Sequence, residues 1–375
     1  MFRILAARGV RQASGDSSGD AWGDASGEAS GEIQADVPLE RLPALLAEDG
    51  TFVWVDMTDP SGEVELSIAR DIFKFHELAI EDCFESRVQP KIDEYEGYVY
   101  LITHGLHATS TAESAEIVEL DVFVGPRYIV THHTRSSRSV AAVTEMVLKS
   151  GLPLRRGPMT VLHALLDRQV DGFEGQLDGI EERISQLEDA VFARPSTSHV
   201  ASLLAVKRSI LQLRRWMSKQ REVVLRLGRQ ELKLVKPQEA MLFRDVHDHL
   251  VRINDLLENF REMLTSIQEA YLSVTSNRLN EIMKFLTLFT AVLMPLTVIA
   301  CIYGMNFEHM PELHERYGYP IVLGVMALVG GGVLLYFRRR GWLGRTPGIE
   351  PLGITQAPGT PVGPQVAPPR KRSRR

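Results

Sequence analysis

Seven residues between positions 280 and 301 recur at alternating three- and four-residue steps: Asn280, Met283, Thr287, Thr290, Met294, Thr297 and Cys301. On a helix that spacing places them on one stripe. Their side chains are amide, thioether, hydroxyl and thiol, with no aromatic among them. The stripe leads to Gly304, Met305 and Asn306, with Glu308 and Glu312 following. Such a row offers neutral donors to a cation that keeps its water. A magnesium-like dication dehydrates reluctantly, so a ring of amide and backbone carbonyl oxygens suits its hydrated form. A carboxylate ring at the same place would hold the ion too long to conduct. No charged side chain joins the stripe beyond its start, which argues against a relay of buried carboxylates. Small polar residues also serve helix packing in membranes, and spacing alone leaves that reading open.

Membrane spans are the elements that would position this stripe. Phe285 to Tyr303 is a run of 19 residues without a charge, and Tyr317 to Phe337 is another of 21. At about 1.5 Å per residue, either can cross a hydrocarbon core of roughly 30 Å as a helix. Two buried core helices are the alternative. Lys284 opens the first run and Arg338, Arg339 and Arg340 close the second. The loop at 304–316 carries Glu308, Glu312 and Glu315 against the single Arg316. Positive charge favours the cytoplasmic side, so both termini are expected there. The face opposite the stripe, with Ile282, Phe285, Phe289, Val292, Leu296 and Ile299, is expected to meet lipid or the second helix.

Further upstream, 57 residues from Gln238 to Met294 contain neither proline nor glycine. As one helix they would reach roughly 85 Å, far beyond a bilayer, so a stalk should continue directly into the first span. An apolar pattern that long needs lateral partners, which predicts self-association. Residues 151–236 read as an antiparallel helical pair interrupted at "ARPSTS", where Ser196 or Thr197 could cap the second helix. Residues 45–150 read as a small α/β domain. Its strand-like runs are "TFVWVDM", "GYVYLIT", "IVELDVFVG" and "RYIVTHH", with helical patterns in "SIARDIFKF" and "ELAIEDCF". The resulting division is a leader at 1–44, the α/β domain at 45–150, the helical pair at 151–236 and stalk plus first span at 237–303. A loop at 304–316, the second span at 317–337 and a tail at 338–375 complete it.

Averages over the 375 residues, 44% hydrophobic with net charge −6, conceal this unevenness. The leader repeats a Gly-acid pair in "GDSSGDAWGDASGEASGE" and is expected to stay disordered. The tail is proline-rich and ends in a basic cluster of a kind that can touch acidic lipid headgroups or nucleic acid; a solvated cytoplasmic tail with no nucleic-acid partner is expected. Cys83 and Cys301 form no framework and lack metal-site spacing, in keeping with a reducing compartment. His132, His133 and His163 are expected to be solvated or structural. No phosphate-binding loop and no triad spacing is present, so neither an enzyme nor an organic cofactor is expected.

"SNRLNEIMKFLT", "PLTVIACIYGMN" and "YGMNFEHMPEL", together with "FRDVHDH" and "AIEDCFESRVQPKIDEYEGYVYLI", resemble the CorA family of magnesium and cobalt channels over about residues 45–343. The resemblance implies a funnel-shaped homopentamer in the plasma (inner) membrane, passing magnesium and also cobalt or nickel. In that likeness Gly304, Met305 and Asn306 form the outer filter. Asn280, Met283 and Leu286 form the inner gate, Met294 a mid-pore constriction, and Thr287, Thr290, Thr297 and Cys301 line the remainder. Regulatory magnesium would sit between subunits at Glu81, Asp82 and Asp245, joined by Asp171. Cys301 stands where family members commonly have glycine. The same architecture also fits a ZntB-like zinc transporter or, less well, a membrane-anchored coiled-stalk scaffold.

Overall fold

The computed structural model describes residues 2–9, 33–58, 62–84, 89–107, 109–193, 196–305 and 317–342. They fall into two compact units, Met1–Thr275 and Ser276–Arg375. Asn306, Glu308 and Glu312, residues 10–32 of the leader and the tail from 343 onward lie outside the described residues.

In the first unit alternating side chains build two cores on one sheet. Its strands are β1 (Phe2–Arg8), β2 (Thr51–Met57), β3 (Lys91–Tyr95), β4 (Tyr98–Leu106), β5 (Ile117–Val124) and β6 (Tyr128–His132), in the order β1-β2-β6-β5-β4-β3. Only β2 and β6 run parallel; the other neighbours are antiparallel. Successive side chains on a strand point to opposite faces. Thus Trp54, Val99, Leu101 and Val122 enter one core, while Val53, Val55, Tyr98, Tyr100, Ile102 and Phe123 enter the other.

Helices cover both faces. Short helices α1 (Leu42–Ala47), α2 (Glu63–Ser67) and α3 (Glu77–Phe84) come first in the chain, and α1 and α3 contribute Leu42, Leu45, Ala79, Ile80 and Cys83 to the second core. The first core takes side chains from α4 (Arg138–Ser150), α5 (Leu152–Arg156), α6 (Pro158–Ala193), α7 (Thr197–Gly228) and α8 (Pro237–Tyr303). Buried polar groups join α6 and α7 to the sheet. Gln169 donates to the Thr103 hydroxyl at 3.1 Å, Gln220 donates to the Gln169 carbonyl at 3.2 Å, and the His104 N–H donates to Gln220 at 2.9 Å. Each amide is satisfied, so burying it carries little desolvation penalty. Ser196 caps α7, its hydroxyl accepting from the Ser198 N–H at 3.2 Å.

The unstructured leader expected over 1–44 needs correction at both ends. Residues Phe2–Arg8 form an edge strand that buries Ile4, Leu5, Ala6 and Ala7, and Val37 and Leu42 are also core residues. β3 was absent from the sequence expectation as well: "KIDEY" is too polar for a strand signal, and its pairing with β4 decides its conformation. The helix expected in "SIARDIFKF" widens to a π-turn at Ile68–Ile72.

The second unit contains the upper part of α8 and α9 (Gly318–Arg339). Both helices are long and apolar enough to cross a membrane. Gly330 is the buried residue of α9, and a β-carbon there would meet Leu296 of α8 at 3.6 Å.

Candidate ion-conducting site

Helix α8 continues without a break through Pro295 to Tyr303. Proline lacks the N–H that the Ala291 carbonyl would otherwise receive. All seven stripe residues, Asn280, Met283, Thr287, Thr290, Met294, Thr297 and Cys301, are exposed. Leu288, Ala291, Val292, Pro295, Leu296 and Ile299 are half-buried. At 100° per residue, the covered arc is centred roughly 140° around the helix from the stripe. Helix α9 therefore rests, at Gly330 and Leu296, on the side away from the polar seam. Ile282, Phe285 and Phe289 stay exposed, so the expected opposite face divides into a helix-contacting part and an open apolar part.

The stripe threonines share one hydrogen-bonding habit. Thr287 donates to the Met283 carbonyl at 2.8 Å, Thr290 to Leu286 at 2.9 Å and Thr297 to Leu293 at 2.9 Å. A hydroxyl has one proton and two lone pairs, so each oxygen is left as an outward acceptor. Thr290, Met294, Thr297, Cys301 and Met305 share an open groove of about 560 Å³ with the apolar Phe289, Leu293, Val298 and Ile302. Leu286, expected at the inner gate, is also exposed. At the end of α8, the Gly304 N–H donates to the Ala300 and Cys301 carbonyls at 2.9 and 3.2 Å, and Met305 donates to Ile302 at 3.3 Å. A β-carbon on Gly304 would stand 3.2 Å from the Ala300 oxygen, so a larger residue would press on this tightened last turn.

The acids expected to hold regulatory metal occupy separate elements. Glu81 and Asp82 are on α3, where Asp82 pairs with Lys91, which also reaches Asp93 at 3.2 Å. Asp171 on α6 accepts from Arg168 at 2.9 Å, and Asp245 on α8 is exposed. Among the described residues of one chain, no three of these four converge at metal-ligand distance. The sequence reading missed Asp167. Burial raises its carboxyl above the usual range, and the charges of Asp171 and Asp245 push in the same direction. Burial also lowers the His163 imidazole, against the opposing pull of Asp167 and Asp245. The four-residue spacing of Asp167 and Asp171 on α6 was the available signal.

A family described as "CorA-like Mg2+ transporter protein" matches residues 49–339. The chain belongs to this CorA-like family. Among relatives, the putative metal ion transporter YfjQ of Bacillus subtilis is 34% identical over 82% of this chain and 94% of its own length. The cobalt/magnesium transport protein CorA of Thermotoga maritima is 31% identical over 79% of this chain and 85% of its own. The complete CorA structure from Methanocaldococcus jannaschii shares the fold with a TM-score of 0.75 at 20% identity, covering 91% of this chain and 98% of that one. This CorA-like protein is a divalent-cation transporter with two membrane-spanning helices, not an enzyme. The family match takes in both compact units and leaves out residues 1–48, β1 among them, and the tail.

Proposed function

We propose that five copies of this CorA-like chain surround an axis with the α8 stripe facing inward, forming a magnesium channel. The observation carrying this reading is the position of α9, which contacts the Leu296 side of α8 and leaves the polar seam uncovered. Such a lumen is uncharged, and outward threonine lone pairs can accept from the water around an ion. Asn280, Met283 and Leu286 form the inner gate, and Met294 narrows the middle. Asn306 presents its carboxamide at the outer mouth, with the Gly304–Met305 turn shaping the approach and Glu308 and Glu312 attracting cations. Cys301 adds a soft donor near that mouth, and cobalt and nickel belong to the proposed cargo.

Both termini face the cytoplasm in this reading. A dication entering a negative interior gains roughly 4.6 kcal/mol per 100 mV, twice the single-charge value, so no nucleotide is required. Regulation follows from the acids. No three of Glu81, Asp82, Asp171 and Asp245 converge among the described residues of one chain, and in this reading the sites are completed between subunits. Opposed carboxylates repel, and a bound magnesium turns that repulsion into attraction. High internal magnesium then favours the closed arrangement, a population shift that gives negative feedback.

The test is magnesium uptake into proteoliposomes by wild type and Asn306→Ala under an inside-negative potential. Uptake by wild type with at least a tenfold loss in the variant is expected. Equal uptake by both overturns the filter. Zinc uptake coupled to protons, without magnesium uptake, overturns the magnesium reading itself.

A further inference from the structure

Three polar side chains meet within the second core of the sheet, apart from the ion pathway. Cys83 comes from α3, Asp121 from β5 and His132 from β6, and Asp121 and His132 are cross-strand partners. Their exposures are 4%, 2% and 2%. The Cys83 sulfur lies 3.4 Å from His132 Nδ1, and Nδ1 lies 3.4 Å from Asp121 Oδ2. All three potential ligand atoms lie within 4.8 Å of one another. Tyr100 donates to the other Asp121 oxygen at 2.7 Å. His132 Nε2 is buried without a hydrogen-bond partner among the described residues. No linear motif marks this set, because Cys83 and His132 are 49 positions apart.

Hydrogen bonding alone serves this cluster poorly. Neutral imidazole carries one N–H. On Nδ1 that proton can serve Asp121, and the Nε2 lone pair is then stranded. On Nε2 the buried donor has no partner with or without a metal, and the Nδ1 lone pair then faces the Asp121 carboxylate oxygen, the contact that a cation between them would relieve. The 3.4 Å nitrogen–oxygen separation also exceeds the usual range of roughly 2.7–3.2 Å. Ligand atoms around a tetrahedral zinc, at about 2.0–2.3 Å from the metal, stand roughly 3.3–3.6 Å apart. Both 3.4 Å separations suit that arrangement. Charge suits it too, since one thiolate and one carboxylate neutralise a dication while the imidazole adds none. Without compensation the core opposes negative charge: burial pushes the Cys83 thiol well up and raises the Asp121 carboxyl to about 6.

We propose that Cys83, Asp121 and His132 bind one borderline-soft divalent ion of the zinc or cobalt(II) class, with water as a fourth ligand and Tyr100 orienting Asp121. Sulfur and imidazole ligands select such metals over magnesium, which prefers an octahedron of oxygens. Cys83 follows Glu81 and Asp82 on α3, so the bound ion would fasten the helix carrying those acids to β5 and β6.

The test uses the full chain in detergent, stripped with chelator and titrated with cobalt(II). A charge-transfer band from thiolate to cobalt reports a Cys–metal bond, and the chain has only two cysteines. Cys301→Ser is expected to keep the band at one equivalent, whereas Cys83→Ser loses it. Tyr100→Phe is expected to weaken cobalt binding about tenfold, as loss of an outer-shell partner does. The band in Cys301→Ser can arise from Cys83 alone, so the result holds even if Cys83→Ser fails to fold. Absence of a saturable band in Cys301→Ser overturns the proposal, as does an undiminished band in Cys83→Ser.

Discussion

The two ends of α8 are one continuous helix written for two surroundings. In the lower part Phe243, Val246, Leu250, Ile253, Leu257, Phe260, Leu264 and Ile267 recur every three or four residues and are buried by their own chain. Beyond Ile267 no α8 residue is buried, yet the sequence becomes more apolar: Phe285, Phe289 and Leu293 are all exposed. In water such exposure would be a large liability; in hydrocarbon it is the expected state. Polar residues reverse their meaning as well. On the stalk they mark the solvated face, whereas on the upper half Thr287, Thr290 and Thr297 mark the seam that α9 leaves uncovered. The same periodicity encodes a core below and, in the proposed channel, a water-facing wall above.

This contrast predicts unequal responses to the same substitution. Phe243→Ala removes a fully buried ring and should destabilise the folded stalk by about 3–5 kcal/mol in chemical denaturation. Phe285→Ala, at 71% exposure, should change that transition little; equal losses would erase the distinction between the two halves. Along the upper half, Thr297→Val keeps the shape but replaces an outward lone-pair donor by a methyl. Magnesium flux should fall several-fold with an unchanged yield of assembled protein, and unaltered flux would remove Thr297 from the proposed lumen.

Much of this organisation is legible in the sequence because it rests on local periods. Strands β2, β4, β5 and β6, helix α3, the stalk and both spans follow from alternation, three- and four-residue spacing and uncharged length. β1 escaped because a seven-residue edge strand precedes a long acidic repeat, and its partner β2 lies more than forty positions away. Asp167 escaped because its neighbour Asp245 belongs to another helix, and the Cys83–Asp121–His132 set because three separate elements supply it. Spacing could define the stripe on α8, but only the contact at Gly330 says which side α9 takes.

Two smaller effects sharpen the comparison. Gly330→Ala places its β-carbon 3.6 Å from Leu296, an ordinary contact, and should leave assembly and flux nearly unchanged. Gly330→Leu should separate α9 from α8 and lower the yield of assembled protein on size exclusion; normal yield would contradict the α8–α9 contact. On α6, the His163 imidazole is held below its ordinary value of 6.5, chiefly by burial. The unfolded chain therefore takes up the proton first. His163 should favour folding above pH about 6.5, and that contribution should fall as pH drops through 6.5 and toward the depressed folded value. Melting temperatures across this window should decline less for His163→Gln than for wild type; parallel declines would remove His163 as a cause.

The central claim is that the α8 seam faces water while the arc beside Gly330 faces protein. Single cysteines introduced into a Cys301→Ser background test it directly, with a charged, membrane-impermeant thiol reagent applied to conducting proteoliposomes. Blocked magnesium flux is expected for Thr290→Cys and Thr297→Cys, and unaffected flux for Val292→Cys and Ile299→Cys. Block at Val292→Cys and Ile299→Cys, with the threonine positions insensitive, would turn the helix around and contradict the pathway.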